Sequence, residues 1–589
     1  MDYIEKDDPG ASRQRRMPID YVKSSPYLLS FMENYEIKKD IVRYFEKTGK
    51  YAVLSHKNYQ NLLLRKNALH CYKKIPMNNA RLEKLKEVAL GDEKSDIELL
   101  LWIPPSKLYY KTRSVFDKNK HYSKTLVFSA WEMVPRMISV MMSYEAERRT
   151  LGKLYDREKS KRGKGYFMDK DERRYGSARL RGEAAELLCY PSRFLANAYN
   201  PADYMGWDLS KIKEDVRNKI EVRLRDYYSL TTSGAGSISS LLALLKAMDG
   251  DAQQDIGPLP TDTRSVLVDM AIGSPAVCAY RLFQDKCGES SDDEVNNCVR
   301  EICEGFVSLF NKPESAAILD IIYGKEGYSY YRSVFEYCAD GNMQAMLDEY
   351  AHVLDAQGKE LADSIRGGFL DTSNIQIDTL ESFTKNGQKA RMRLHFAAGY
   401  FDVRINDESV ARAENIRNAF NSPFRPFVLA TTSIGQEGLD FHLYCRRVMH
   451  WNLPANPIDI EQREGRVNRY KCLAVRQNIA KRYGNGKTWD EMFEMAASNE
   501  KNGYSDIVPY WCLPNADDNY IKIERIVPMY PFSEDRLKYE CLINMLSYYR
   551  LTLGQPRQED IIEMLRRMGI ESENVDERLF FNLSPFNRL

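Results

Sequence analysis

Residues Pro423–Tyr470 read PFRPFVLATTSIGQEGLDFHLYCRRVMHWNLPANPIDIEQREGRVNRY. Phe427–Ala430 is a continuous apolar run, the pattern of a strand buried on both faces. It breaks into the polar, glycine-bearing stretch Thr431–Asp440, after which Arg447–Trp451 forms a second apolar run. A proline-spaced loop then leads into a predicted helix that carries Gln462 through Arg469. Polar residues that follow buried strands collect at the carboxyl edge of an open α/β sheet, where such folds bind ligands. On the helix, Arg463, Arg466 and Arg469 recur every third position and so share roughly one side. An isolated run of this kind is more often a solvated basic face. Here the order strand, loop, strand, loop, arginine helix argues for anions opposite the guanidiniums.

Upstream, Arg391–Ala397 is a strand candidate ending in small residues, and Asn406-Asp407-Glu408 can cap a helix carrying Arg412, Ile416 and Phe420. With the Phe427–Ala430 run following, strand and helix alternate, which predicts a parallel sheet with covering helices. Further upstream, Lys124–Trp131 predicts a buried strand followed by an amphipathic helix from Val134 to about Glu147.

The 423–470 stretch resembles motifs V and VI of superfamily 2 helicases and nucleic-acid translocases, and Lys124–Trp131 resembles their motif IV, the first strand of the second RecA-like lobe. The resemblance implies roles for particular residues. Arg466 and Arg469 would be the catalytic arginines that stabilise charge on a departing phosphoryl group. Gln462, Arg463, Gly438 and Asp440 would serve the nucleotide side. Thr432, Ser433 and Gly435 would meet the nucleic-acid backbone, a contact that carries no sequence information. It also implies ATP and Mg²⁺ as cofactors and DNA or RNA as a partner, with no metal bound by the chain itself.

Composition constrains the rest. Lys+Arg 85 against Asp+Glu 84 leaves no global charge signal, so any nucleic-acid surface must be a local patch. Eleven cysteines without a CxxC pair argue against zinc and read as the reduced thiols of a cytoplasmic protein. The start, MDYIEKDDPG, is no secretory signal. No apolar run reaches spanning length, since Leu126–Tyr144 is interrupted by Glu132, Pro135 and Arg136.

The expected fold class is α/β: a RecA-like parallel-sheet lobe interrupted by a large, mainly helical insertion, with helical N- and C-terminal extensions. The expected segments are an N-terminal extension over 1–120, the lobe's first piece over 121–150, the insertion over 151–384, the lobe's second piece over 385–480 and a C-terminal extension over 481–589. Residues 182–230 and 260–365 read as helical, with Thr231–Ser237 as a linker. A basic cluster, Lys159–Lys164 with Arg173, Arg174, Arg179 and Arg181, fits either phosphate contact or a solvated loop. Pro26 suits a first helical turn. Downstream, Trp489–Ala497 and Ser533–Leu551 read as helices and Ile521–Val527 as a strand.

Two stretches imitate first-lobe motifs. Gly484-Asn485-Gly486-Lys487-Thr488 suggests a phosphate-cradling loop, but the required leading glycine is Lys481. Asp348-Glu349-Tyr350-Ala351-His352 suggests a D-E-x-x-H box, but the preceding Met343–Leu347 patterns as helix. The expectation is therefore half of an ATPase, completed by a partner chain that carries the Walker A and D-E-x-x lobe. The alternatives are a nucleic-acid-binding module without hydrolysis and a truncated helicase fragment.

Overall fold

In the computed structural model the described residues are 18–56, 61–157, 165–167, 178–230, 236–250, 256–287, 291–370, 373–384, 387–400, 407–432, 439–500, 505–514, 519–531, 533–551 and 558–569. The elements that frame the site are, in chain order, β1 (Lys124–Phe128), α1 (Met133–Glu147), α2 (Pro275–Lys286), α3 (Pro313–Tyr323), α4 (Met343–Leu354), β2 (Ser373–Ile377), β3 (Ala390–Leu394), β4 (Ala397–Tyr400), α5 (Asp407–Phe420), β5 (Val428–Thr431), β6 (Cys445–His450), α6 (Pro457–Gly465), α7 (Leu473–Tyr483), α8 (Trp489–Glu500), β7 (Glu524–Ile526) and α9 (Asp535–Leu551).

Five strands form one parallel sheet in the order β4-β5-β1-β6-β7. Leu126 stands between Leu429 and Val448, and Val127 between Ala430 and Met449. Every residue of β1 and β5 is buried, as expected of central parallel strands covered on both faces. β1 opens on Lys124, itself fully buried. Its ammonium donates to the carbonyls of Ala419, in the last turn of α5, and Phe424. A cation there faces the negative end of the helix, while burial drags its pKa far below the usual lysine value.

The expected single strand at Arg391–Ala397 is two elements. β3 pairs antiparallel with β2, and only from Ala397 does the chain enter the parallel sheet as β4. The alternation decides this: Ala390, Met392 and Leu394 are buried while Arg391 is exposed, the half-wetted pattern of an antiparallel strand. Pro26 does not start a helix. It lies between Pro18–Ser24 and Leu28–Phe31, where Tyr27 takes a left-handed conformation (φ 50°) that breaks one helix from the next.

The helices between α1 and β2 form where expected, and they share an apolar core with the lobe. Phe306, Phe369 and Phe424 make one aromatic cluster, the last two rings 4.2 Å apart. Trp102, from the N-terminal helical region, packs on Phe116 and Tyr337. Arg179 makes a bidentate pair with Asp320 (2.8 and 3.0 Å), so that member of the basic cluster has an internal partner. Lys159–Lys164, Arg173 and Arg174 lie outside the described residues, as do residues 231–235 of the expected linker. Ser237, at the linker's end, caps the helix Ile238–Met248.

Among the described residues no single helix is long and apolar enough to cross a membrane. The bent pair Thr263–Gly273 and α2 comes nearest in composition, and its Val266, Leu267, Met270, Val277 and Phe283 are buried in the core. In the C-terminal region α9 returns to the lobe, where Arg550 pairs with Glu461 of α6.

Candidate functional site

The carboxyl ends of β5, β1 and β6 lie side by side and deliver Thr432, Ser129 and Asn452 to one edge. Ser129 N donates to the Thr431 carbonyl (3.0 Å) and Trp451 N to that of Phe128 (2.9 Å). The Asn452 side-chain carbonyl accepts from Ser129 Oγ and Ala130 N, both at 3.2 Å. Thr432 is buried, 6% exposed. Ser433, Gly435 and Gly438 lie outside the described residues. The chain is again described from Leu439, and Asp440 is held by a hydrogen bond from Asn421 Nδ2 to its carbonyl (2.8 Å). Phe441 N then donates to the Arg466 carbonyl (2.9 Å), and Leu473 N to that of His442 (3.2 Å). The loop after β5 and the turn after α6 are thus tied backbone to backbone.

The three arginines do not share one side of a helix. α6 starts at Pro457, where the Asn456 side chain caps it by accepting from Ile458 N (3.0 Å), and it ends at Gly465. Only Arg463 is helical; Arg466 is the C-cap and Arg469 lies in the turn beyond. Glycine is a poor helix continuer, and Lys471 in a left-handed conformation (φ 50°) turns the chain into α7.

Their environments differ. Arg463 is 4% exposed, sits over the Phe128 ring (5.5 Å) and donates to the Asn452 carbonyl (3.1 Å). It clamps α6 to the end of β1. The Arg466 side chain makes no hydrogen bond or ion pair among the described residues. Arg469 Nε lies 3.0 Å from Asp440 Oδ1, near enough for an ion pair but out of line for a hydrogen bond. The Nε atoms of all three are shielded from solvent and make no hydrogen bond among the described residues. A buried N–H without an acceptor costs about 1–3 kcal/mol; among the described residues the Nε–H groups of Arg463 and Arg466 have none, while that of Arg469 faces Asp440. Gln462 is exposed on α6.

Glu464 organises the other side of α6. It takes His450 Nε2 (3.2 Å) and a bidentate Arg525, whose Nη2 is 2.7 Å away. Burial alone would raise its pKa, but hydrogen bonds from His450 and Arg525 outweigh that and hold it at about 2. Glu464, Asn468, Arg525 and Tyr539 line a cavity of about 480 Å³ beside the arginine turn. Sequence reasoning missed Arg525, Asn452 and Tyr539. No local pattern marks Arg525, whose role comes only from β7 lying next to β6.

Both imitations of first-lobe motifs are structural. Thr488 N donates to Glu491 Oε2 (2.6 Å) while Glu491 N donates to Thr488 Oγ1 (3.3 Å), a reciprocal cap for α8. Glu349 accepts from Arg476 Nε (2.8 Å), Ser106 N (2.6 Å) and Ser106 Oγ (2.7 Å). Arg476 also donates to the carbonyls of Lys471 and Leu443, so this buried pair holds the arginine turn from behind. Away from the edge, the possible ligand atoms of Glu147, Glu314 and His395 lie within 4.8 Å of one another. Arg393 and Tyr72 already donate to Glu147 there.

Residues 369–471 match the family model for the helicase conserved C-terminal domain. This part of the chain is therefore a helicase C-terminal lobe, with β1 completing its sheet from outside the matched span. Neither the curated proteins nor the solved structures gave a match.

Proposed function

We propose that the chain is the second lobe of an ATP-dependent nucleic-acid helicase or translocase and works with a phosphate-cradling first lobe on a partner chain. The observation that carries this reading is the run Arg463, Arg466 and Arg469 beside the carboxyl edge of a helicase-type sheet, with the Nε–H groups of Arg463 and Arg466 unpartnered among the described residues and that of Arg469 facing Asp440. A phosphate chain is an acceptor of matching charge and shape, so the residues fit ATP. ATP with Mg²⁺ would supply the phosphoanhydride whose cleavage drives movement. Arg466 and Arg469 supply positive charge to the departing phosphoryl group. Asp440 keeps Arg469 facing the edge until the nucleotide arrives, Arg463 fixes the helix on which both depend, and Gln462 is exposed toward the nucleotide side. Thr432, Ser433 and Gly435 meet the nucleic-acid backbone, with Gly438 permitting close approach of the loop. The eleven unpaired thiols suit a reducing, cytoplasmic setting.

The test is ATP turnover with single-stranded DNA or RNA, by the chain alone and after addition of a Walker A and D-E-x-x lobe encoded beside it. Turnover that needs both chains and disappears in Arg466→Ala and Arg469→Ala supports the proposal. Full turnover by Arg469→Ala removes the arginine finger from it. Salt-dependent nucleic-acid binding without turnover under any combination would leave a binding module instead.

A further inference from the structure

On the face formed by α2, α4 and the start of α8 lies a cavity of about 590 Å³, walled by Tyr109, Tyr199 and Trp489 and floored by Asp348. It is separate from the arginine turn. α4 stands between them, with Glu349 turned to Arg476 and the adjacent Asp348 turned to the cavity.

The Tyr199 hydroxyl is fully buried and has no hydrogen-bond partner. His352, 6% exposed, packs against the rings of Trp489 and Phe493, which also touch each other. Its Nδ1 is 3.1 Å from Asp490 Oδ1. Its Nε2 is buried and has no hydrogen-bond partner among the described residues. Asp348 accepts only neutral donors, Tyr109 Oη (2.6 Å) and Gln344 Nε2 (3.0 Å), and forms no ion pair among the described residues. Asp285 and Asp490 add carboxylates at the rim, against Lys286. Arg281 lines the cavity too, but its guanidinium is committed to the Ala196, Leu195 and Ala271 carbonyls and to Gln344. The cavity therefore sets three carboxylates against Arg281 and Lys286, with the Tyr199 hydroxyl and His352 Nε2 unpartnered among the described residues, beside aromatic walls.

We propose that this cavity is a binding site for a small organic cation with several N–H donors, of the polyamine or guanidinium class. Such a ligand gives Asp348 a direct ion-pair partner, which it lacks among the described residues, and donates to His352 Nε2 and the Tyr199 hydroxyl. Charged hydrogen bonds to carboxylates are the strong ones, and a cation beside aromatic rings gains further.

The experiment is calorimetric titration of the full chain with spermidine, agmatine and 1,4-diaminobutane, beside the neutral 1,4-butanediol and the anion AMP. Saturable binding of at least one amine, with none of the diol or AMP, is expected. Asp348→Asn is expected to weaken it about tenfold or more and Tyr199→Phe severalfold, with far-UV dichroism and thermal midpoints confirming that both variants fold. Amine binding that Asp348→Asn and Tyr199→Phe leave unchanged would place the ligand elsewhere and overturn the proposal. So would AMP or the diol binding as tightly as the amines, or no amine binding at millimolar concentration. The ladder of ligands on the unaltered protein decides the matter even if a variant misfolds.

Discussion

The buried pair Glu349–Arg476 offers a quantitative test of how the helical region supports the lobe. The two side chains are 1% and 0% exposed and meet at 2.8 Å, and Arg476 also holds the carbonyls of Lys471 and Leu443. Glu349→Gln removes the charge opposite a guanidinium that has no path to water. Arg476→Met leaves a buried carboxylate with only Ser106 as donor. Breaking one partner of such a pair typically costs about 3–5 kcal/mol, because the remaining charge stays desolvated. The double variant is expected to lose only about 1 kcal/mol more than the worse single, a coupling of about 2–3 kcal/mol for groups in direct contact. Urea unfolding followed by tryptophan fluorescence reads the relevant transition, since Trp451 and Trp489 are both buried in the structure. Either single variant within about 0.5 kcal/mol of the parent, or strict additivity in the double, would refute the reasoning. Because Arg476 anchors Lys471, Arg476→Met is also expected to lower any nucleotide-dependent activity.

Three further outcomes follow from the site. Asp440→Asn breaks a partly exposed ion pair and should change stability by less than about 1 kcal/mol, whereas Arg469→Ala should cut partner-dependent turnover by roughly 10³-fold or more; unfolding curves beside turnover separate the two. Glu464 has a folded pKa of about 2, below its ordinary 4.5, so its stabilisation is complete above about pH 4.5 and is lost as pH falls toward 2. Glu464→Gln should flatten the acid limb of the stability curve in that window, and an unchanged limb would contradict the assignment. Arg463→Lys keeps the charge but loses the planar stack on Phe128 and the aim at Asn452; it should destabilise by about 1–2 kcal/mol, read as a lower thermal midpoint.

Much of the sheet was legible from residues alone. Phe427–Ala430 and Arg447–Trp451 are apolar without alternation, and both proved to be buried parallel strands, flanking β1. The helices at Val134–Glu147, Asp407–Phe420 and Ser533–Leu551 form close to where their patterns place them. Arg466 and Arg469 stand out only through the resemblance to motif VI; the structure ties the turn that carries them to the loop after β5. Their geometry was not legible, because a three-residue repeat across Gly465 reads as helix until the bonds from Leu473 N to the His442 carbonyl and from Lys471 N to the Tyr510 carbonyl (2.8 Å) turn the chain. The strand at Arg391 was misjudged for a related reason, since its alternation became meaningful only beside β2.

The sequence by itself determined the class of the lobe, because buried parallel strands and a polar carboxyl edge are written in local composition. Only the tertiary structure decided what completes it. β1 reaches the middle of the sheet from a segment that ends at Phe128, far ahead of β4 at Ala397, and β7 brings Arg525 to Glu464 from beyond α8. It also gave Glu349 its buried partner and Asp348 its place on a cavity floor. Adjacent residues of one helix face different neighbours, and no one-dimensional pattern specifies which neighbours those are.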